Sequence, residues 1–250
     1  VLGSIDIVGL LVLLLFLGLL LGFAAVGRNW PTVFRPVPGF EELGTAIERA
    51  VEAGERVHLS LGTGSVIGSD SAPALAGLAI LSRVASVTTM SDKPVVVTAG
   101  DGAMTMLAQE TLRSAYQQAK VGERYRRTSG RMLGPTPLSY VASLPILIAS
   151  EDVSVHILAG SFGAEGALAA DFGERQHAFV IAGTDDAQSQ ALLYATAEYP
   201  MIGEEIFAGG AYLNVGPLHR ASLRAQDAVR MLIVVLILTG TVLRALGVIL

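Results

Sequence analysis

The segment "KPVVVTAGDGAMTMLAQETLRSAYQQA" (residues 93–119) joins a short β-branched run to a helical pattern through Ala99-Gly100-Asp101-Gly102. A brief, uninterrupted apolar run of this kind predicts a strand buried on both faces, as in a parallel sheet. The same unit recurs on either side. Upstream, "FEELGTAIERAVEAG" (40–54) spaces Leu43, Ile47 and Val51 four apart, one helical stripe ending at Gly54. "RVHLSLG" (56–62) then reads as a strand, and "SDSAPALAGLAILSRVAS" (69–86) as a helix beginning near residue 70. Downstream, "VSVHILAG" (153–160) precedes the helical "AEGALAADFGER" (164–175), and "AFVIAG" (178–183) precedes "DAQSQALLYATAEY" (186–199). "EEIFAGGAYL" (204–213) closes the series. Apolar runs alternating with helices build βαβ units. The expectation for residues 40–219 is therefore an α/β domain with a doubly wound, mainly parallel sheet. Residues 120–150 break the rhythm and read as an irregular excursion with one short helix and one strand. Its basic cluster, Arg124, Arg126, Arg127 and Arg131, suits either anionic lipid heads, a neighbour's carboxylates or plain solvent.

Outside that domain the composition changes. Hydrophobic residues make up 52% of the 250-residue chain and charged ones 16%, against about 25% charged in ordinary soluble domains. The excess lies in two end blocks, Ile7–Val26 and Met231–Leu250, which hold no acid and one base, Arg244. Twenty apolar residues at about 1.5 Å each match a hydrocarbon core of roughly 30 Å. A cleaved signal would carry a basic leader and a shorter apolar core. Here no Lys or Arg stands before the run and Asp6 does, so a retained span over residues 1–27 is expected. Arg28, Trp30 and Arg35 follow as interfacial anchors, and Pro31, Pro36 and Pro38 stiffen a stalk over residues 28–39. Gly18 and Gly22 form a small-xxx-small surface on which another helix can pack, although glycine is common in any membrane helix. Residues 220–250 read as an amphipathic lead-in and a second span. Only thirteen apolar residues separate Arg230 from Arg244, so the span runs past Arg244, which either snorkels to the far interface or pairs with Asp6. Arg28, Arg35, Arg220, Arg224 and Arg230 all flank the domain side, which predicts a cell-membrane protein with a cytoplasmic domain and both termini across the bilayer.

Composition also excludes some function classes. A net charge of −5 argues against nucleic acid, which demands a basic face. The absence of cysteine removes disulfides, thiolate nucleophiles and Cys-bound metals. What remains is a row of small residues after the strands. Gly62-Thr63-Gly64-Ser65, Gly100-Asp101-Gly102, Gly160-Ser161 and Gly183-Thr184-Asp185 would line the carboxyl edge, where open parallel sheets take ligands and helix N-termini favour anions. Ala208-Gly209-Gly210 counts with them. "GTGSVIG" (62–68) resembles a Rossmann-like dinucleotide loop with one residue too many, yet the following helix begins only near Asp70 and no acid stands at the expected strand end. Tight strand-to-helix turns favour glycine without any ligand. Asp101, Asp185 and Asp186 could converge on Mg²⁺, but helix N-capping accounts for them without any metal and is the expectation. His58 and His156 fall inside apolar strands, where a hydrogen-bonded core histidine is the default. No nucleophile elbow, Walker loop, catalytic triad or metal site is marked by spacing, so no cofactor is assigned.

The N-terminal span, "NWPTVFRPVPGFEELGTAIERAVEAGERVHLSLGTG" (29–64), "VVVTAGDGAM" (95–104), "LAGSFGAEGALAADFGE" (158–174) and the terminal span resemble together a bacterial two-span membrane-protein family known only as a domain of unknown function. The resemblance covers nearly the whole chain and implies architecture, not a reaction. Three functions stay open: a structural subunit whose domains assemble into a symmetric homo-oligomer in contact with lipids and possible membrane partners, a membrane-tethered nucleotide or anion sensor, and an enzyme on a membrane-associated substrate.

Overall fold

The computed structural model describes residues 7–27 and 34–246, so Asp6, Arg28 and Trp30 lie outside the described residues. The chain forms two compact units, Val1–Phe34 with Gly216–Leu250, and Arg35–Val215.

The larger unit is built on a six-stranded parallel sheet: β1 (Arg56–Gly62), β2 (Val96–Ala99), β3 (Gly130–Met132), β4 (Val153–Ser161), β5 (Phe179–Gly183) and β6 (Tyr199–Met201). Their order is β3-β2-β1-β4-β5-β6, so the direction of winding reverses between β1 and β4. Because strand side chains alternate, each strand feeds two cores. Leu59, Leu61, Val97, Ile157 and Ile181 enter one, under helices α2 (Pro38–Ala53), α3 (Ser71–Thr88) and α4 (Gly102–Gln118). Leu158, Val180 and Ala182 enter the other, under α5 (Pro137–Glu151), α6 (Glu165–Arg175) and α7 (Ala187–Thr196). This is the doubly wound arrangement expected from the alternation of apolar runs and helices. Gly54 ends α2 in the left-handed region (φ 69°), where the lack of a Cβ removes the steric penalty.

Three local expectations give way. Residues 204–213 form no strand; Glu205–Tyr212 is helix α8, and Gly209 packs its bare backbone against Ile80 and Phe40. The last strand is Tyr199–Met201 instead, with Pro200 tolerated because it lies on the sheet's edge. Residues 120–150 hold the one strand and one helix expected there, but these form the β3–α5 unit of the sheet and not an excursion from it. Two 3-10 turns, Gly122–Arg124 and Arg127–Ser129, lead into β3, and α5 is capped by a reciprocal Thr136–Ser139 box. The end of the stalk also belongs to the domain: Val37 is buried, Arg35 pairs with Glu205, and the Arg35 carbonyl accepts from the Tyr212 hydroxyl at 2.7 Å.

The smaller unit consists of α1 (Ile7–Val26) and α9 (Pro217–Ala245), about 30 Å and 43 Å long. Phe16, Leu19, Leu20, Phe23 and Ala24 are the half-buried positions of α1 and form one stripe along α9. The Gly27 carbonyl accepts from Arg224 near the start of α9, which sets the two helices antiparallel. Most of the remaining apolar surface of both is exposed. Among the described residues three helices, α1, α3 and α9, are long and apolar enough to cross a membrane. Of these, α3 buries Ala74, Ile80, Leu81 and Val84 in the α/β layer. Arg244 stands in the last turn of α9, where a cation is favoured by the helix dipole.

Candidate functional site

At the carboxyl edge the structure brings the strand-end residues together but fills the space their glycines leave. A Cβ at Gly62 would strike the Ser161 carbonyl, and one at Gly160 the Leu61 carbonyl. At Gly64 it would come within 2.6 Å of the Asp70 carbonyl, and at Gly100 within 2.9 Å of Thr63 Cγ2. At Gly183 it would meet the Met201 side chain at 2.8 Å. These positions are small because the chain itself approaches them. Gly102 differs, being exposed with only Met132 Sδ at 4.0 Å from such a Cβ. Thr63, Ser65 and Ser161 are half-buried around the β1–β4 reversal.

The polar residues of this edge close turns. Asp101 accepts from Met104 N at 2.8 Å and caps α4. Asp186, rather than Asp185, caps α7 by accepting from Ser189 N at 2.8 Å, and the Ser189 hydrogen bonds hold its carboxyl below the usual range. Thr184 Oγ1 accepts from Phe162 N and donates to Phe162 O, tying the end of β5 to the end of β4. Asp101 and Asp186 thus sit on helices from opposite layers. Among the described residues no three His, Asp or Glu side chains gather as a metal-binding group.

The chemistry-bearing cluster lies elsewhere, between the sheet and α5. His58 and His156 occupy paired register positions on β1 and β4, with stacked rings and Nδ1 atoms 2.8 Å apart. His58 Nε2 lies 2.9 Å from Thr98 Oγ1, which lies 2.6 Å from the Tyr140 hydroxyl, itself 2.5 Å from Ser60 Oγ. All five side chains are fully buried. Parity explains the grouping: residues 58, 60, 98 and 156 all point to the α5 face, and Tyr140 reaches down from α5. Two ring nitrogens in contact require one donor and one acceptor, so at least one of the two rings is neutral, and full burial keeps both uncharged near neutral pH. Burial pushes His156 down to about 4 and, with His156 and Arg131 adding to it, His58 well below its ordinary value. Burial likewise raises Tyr140 to about 12, so its hydroxyl stays protonated. His156 Nε2 makes no hydrogen bond of ordinary geometry; the Ala169 carbonyl is the group acting on it, which favours the tautomer with Nε2–H. In that tautomer His58 Nδ1–H donates to His156, and the Thr98 hydroxyl donates to His58 Nε2. A chain of neutral donors and acceptors results, buried away from solvent.

The sequence pointed to both histidines as core residues and missed Ser60, Thr98 and Tyr140, whose common face only the register reveals. Tyr140→Phe strips a partner from two buried hydroxyls at once. The urea midpoint of the full chain in nanodiscs is expected to fall by the equivalent of about 1–3 kcal/mol.

No curated protein and no solved structure matches the chain. A family does match, the one described as a domain of unknown function (DUF6754), over residues 4–250. With the match running through both apolar ends and the whole sheet, the chain belongs to DUF6754.

Proposed function

We propose that the chain is an integral membrane protein that crosses the bilayer twice, through α1 and α9, and serves as a structural subunit of a symmetric homo-oligomer with its α/β domain in the cytoplasm. The observation that carries this reading is the orientation of Gly18 and Gly22. At 100° per residue they fall on the side of α1 opposite the Phe16–Leu20–Phe23 stripe that faces α9. A Cβ at either position meets nothing within 4 Å. The close-packing surface is therefore unused within one chain and open to a helix of another copy. Two helices are also too few to enclose a pathway alone, and both leave their apolar faces to lipid. The exposed positions include Ile146 on α5 and Tyr194 on α7, which suit domain-to-domain contact.

Mass measurement in native nanodiscs tests assembly. More than one copy per particle is expected, with the double variant Gly18→Leu, Gly22→Leu shifted to fewer copies. A monomer at every protein concentration would overturn the reading. Sidedness has its own test, made clean by the absence of cysteine. Ile67 is 89% exposed, so Ile67→Cys provides a single reactive thiol on the domain. A membrane-impermeant maleimide is expected to label it only after the membrane is opened; labelling in intact cells would place the domain outside.

A second reading, a membrane-tethered nucleotide or anion sensor, is favoured by the strand order, which is the one that dinucleotide-binding sheets of the Rossmann type use around a β1–β4 crevice. The packed glycines count against it. In a thermal-shift screen a nucleotide present at a hundred times its Kd adds about 2.7 kcal/mol of stability.

A further inference from the structure

We propose that a second, separate site at the amino-terminal edge of the sheet binds a small phosphate-bearing anion. The pocket there has a volume of about 480 Å³, within the roughly 300–1,000 Å³ range of small-molecule sites. It opens where β1, β2 and β3 begin, across the sheet from the glycine-rich edge, and so lies outside the crevice that the strand order would favour.

Four guanidinium groups line it: Arg56, Arg124, Arg126 and Arg131. They outnumber the two lining carboxylates, Asp92 and Glu123, and remain in excess when Glu151 behind them is counted. Glu151, at the end of α5, holds two of the four in place. It pairs with Arg131 and lies 3.1 Å from Arg56 Nε. That second contact is not aligned as a hydrogen bond, so the buried Arg56 Nε keeps donor capacity while Arg56 Nη1 donates to the Pro94 carbonyl at 3.1 Å. Arg124 and Arg126 make no ion pair among the described residues.

The loop carrying them is anchored. Tyr125, between the two arginines, donates to the Gln109 carbonyl at 3.1 Å and packs its ring on Tyr116. Gln109 Nε2 donates to the Gly130 carbonyl at 2.8 Å, fixing the loop's far end. The loop is thus held around the pocket, with the Arg124 and Arg126 side chains exposed at its rim. Guanidinium forks match phosphate oxygens with paired donors, and the Thr128 hydroxyl in the same lining supplies a further one. A phosphate monoester or pyrophosphate offers several anionic oxygens to Arg124 and Arg126, which carry the positive excess; either a soluble phosphate compound or a lipid headgroup presents that chemistry.

The test is isothermal titration of the full chain in zwitterionic nanodiscs with inorganic pyrophosphate in one arm and short-chain phosphatidic acid in the other. Saturable binding is expected, weakening as salt is raised, with Arg124→Gln, Arg126→Gln lowering affinity at least tenfold. Both residues are exposed, so the variant is expected to keep the wild-type unfolding midpoint. Arg175→Gln, which is not part of the pocket lining, is expected to bind as wild type. Pyrophosphate binding alone assigns a soluble ligand, and phosphatidic acid binding alone a lipid headgroup. Absence of saturable binding in both arms, or equal affinity in the double arginine variant, would overturn the proposal.

Discussion

Gly160→Ala is expected to destabilise the α/β domain by about 3 kcal/mol, the upper end of the usual penalty for forcing one extra carbon into a packed interior. A Cβ there would collide with the carbonyl oxygen of Leu61 and come within 2.8 Å of its Cα, all backbone of the neighbouring strand β1. Backbone in the middle of a sheet cannot step aside as a side-chain tip can. The helix above closes the same point, because a Cβ at Gly77 of α3 would strike the Ala159 carbonyl and sit 2.6 Å from Leu61 Cδ2. Gly62, Gly77 and Gly160 therefore form one tight junction of β1, β4 and α3. Gly44→Ala supplies the comparison. It lies within α2, where a Cβ meets nothing within 4 Å, and alanine there is expected to stabilise by about 0.5–1 kcal/mol. Urea unfolding of both variants in nanodiscs checks the pair. If Gly160→Ala kept the wild-type midpoint, close packing would not be why glycine stands there, and approach of a ligand would become the better account.

That junction shows how far the chain could be read in advance. The β-branched runs at 56–62, 95–99, 153–161 and 179–183 are compact, buried and bounded by glycine, so local pattern and final structure agree there. The edges of the sheet were not legible in the same way. β3 and β6 are three residues each, too short to show a period, and Pro200 inside β6 is a residue that ordinarily argues against a strand. Helix α5 was disguised by Pro145 in its interior, and α8 by the pair Gly209-Gly210, which its packing on Ile80 makes useful. The glycine edge was visible, but whether those glycines served a ligand or the chain depends on distances across strands remote in sequence. The polar chain under α5 was hidden for the same reason. Its members come from four elements, and their meeting depends on a register that no local pattern states. The anchor residues Asp6, Arg28 and Trp30 fall outside the described residues, so the Arg244 pairing stays an expectation of the sequence.

Lowering the pH from 7 to 5 is expected to weaken the domain by about 4 kcal/mol through the buried histidine pair. In the unfolded chain each histidine takes a proton near pH 6.5. In the folded chain burial holds His156 at about 4, and His58 well below its ordinary value. Between those limits the unfolded state binds protons that the folded state refuses, so stability is full above pH 6.5 and declines as pH falls through the window. The slope is about 1.4 kcal/mol per pH unit for each histidine. Protonating both would set two N–H groups against each other across 2.8 Å, and Arg131 adds to the repulsion at His58. Glu174 acts in the opposite sense: desolvation raises its carboxyl, so its contribution grows on acidification, but only near and above its ordinary 4.5. Asp186, held low by Ser189, loses its contribution only below its ordinary 3.8. The interval from 6.5 to 5 therefore belongs mainly to the two histidines. His156→Gln keeps a hydrogen-bonding side chain without a titrating ring and is expected to halve the slope. A flat urea midpoint between pH 7 and 5 in the wild type would mean that the pair accepts protons without unfolding, through water reaching it beneath α5, and the neutral buried chain would be the wrong description of this core.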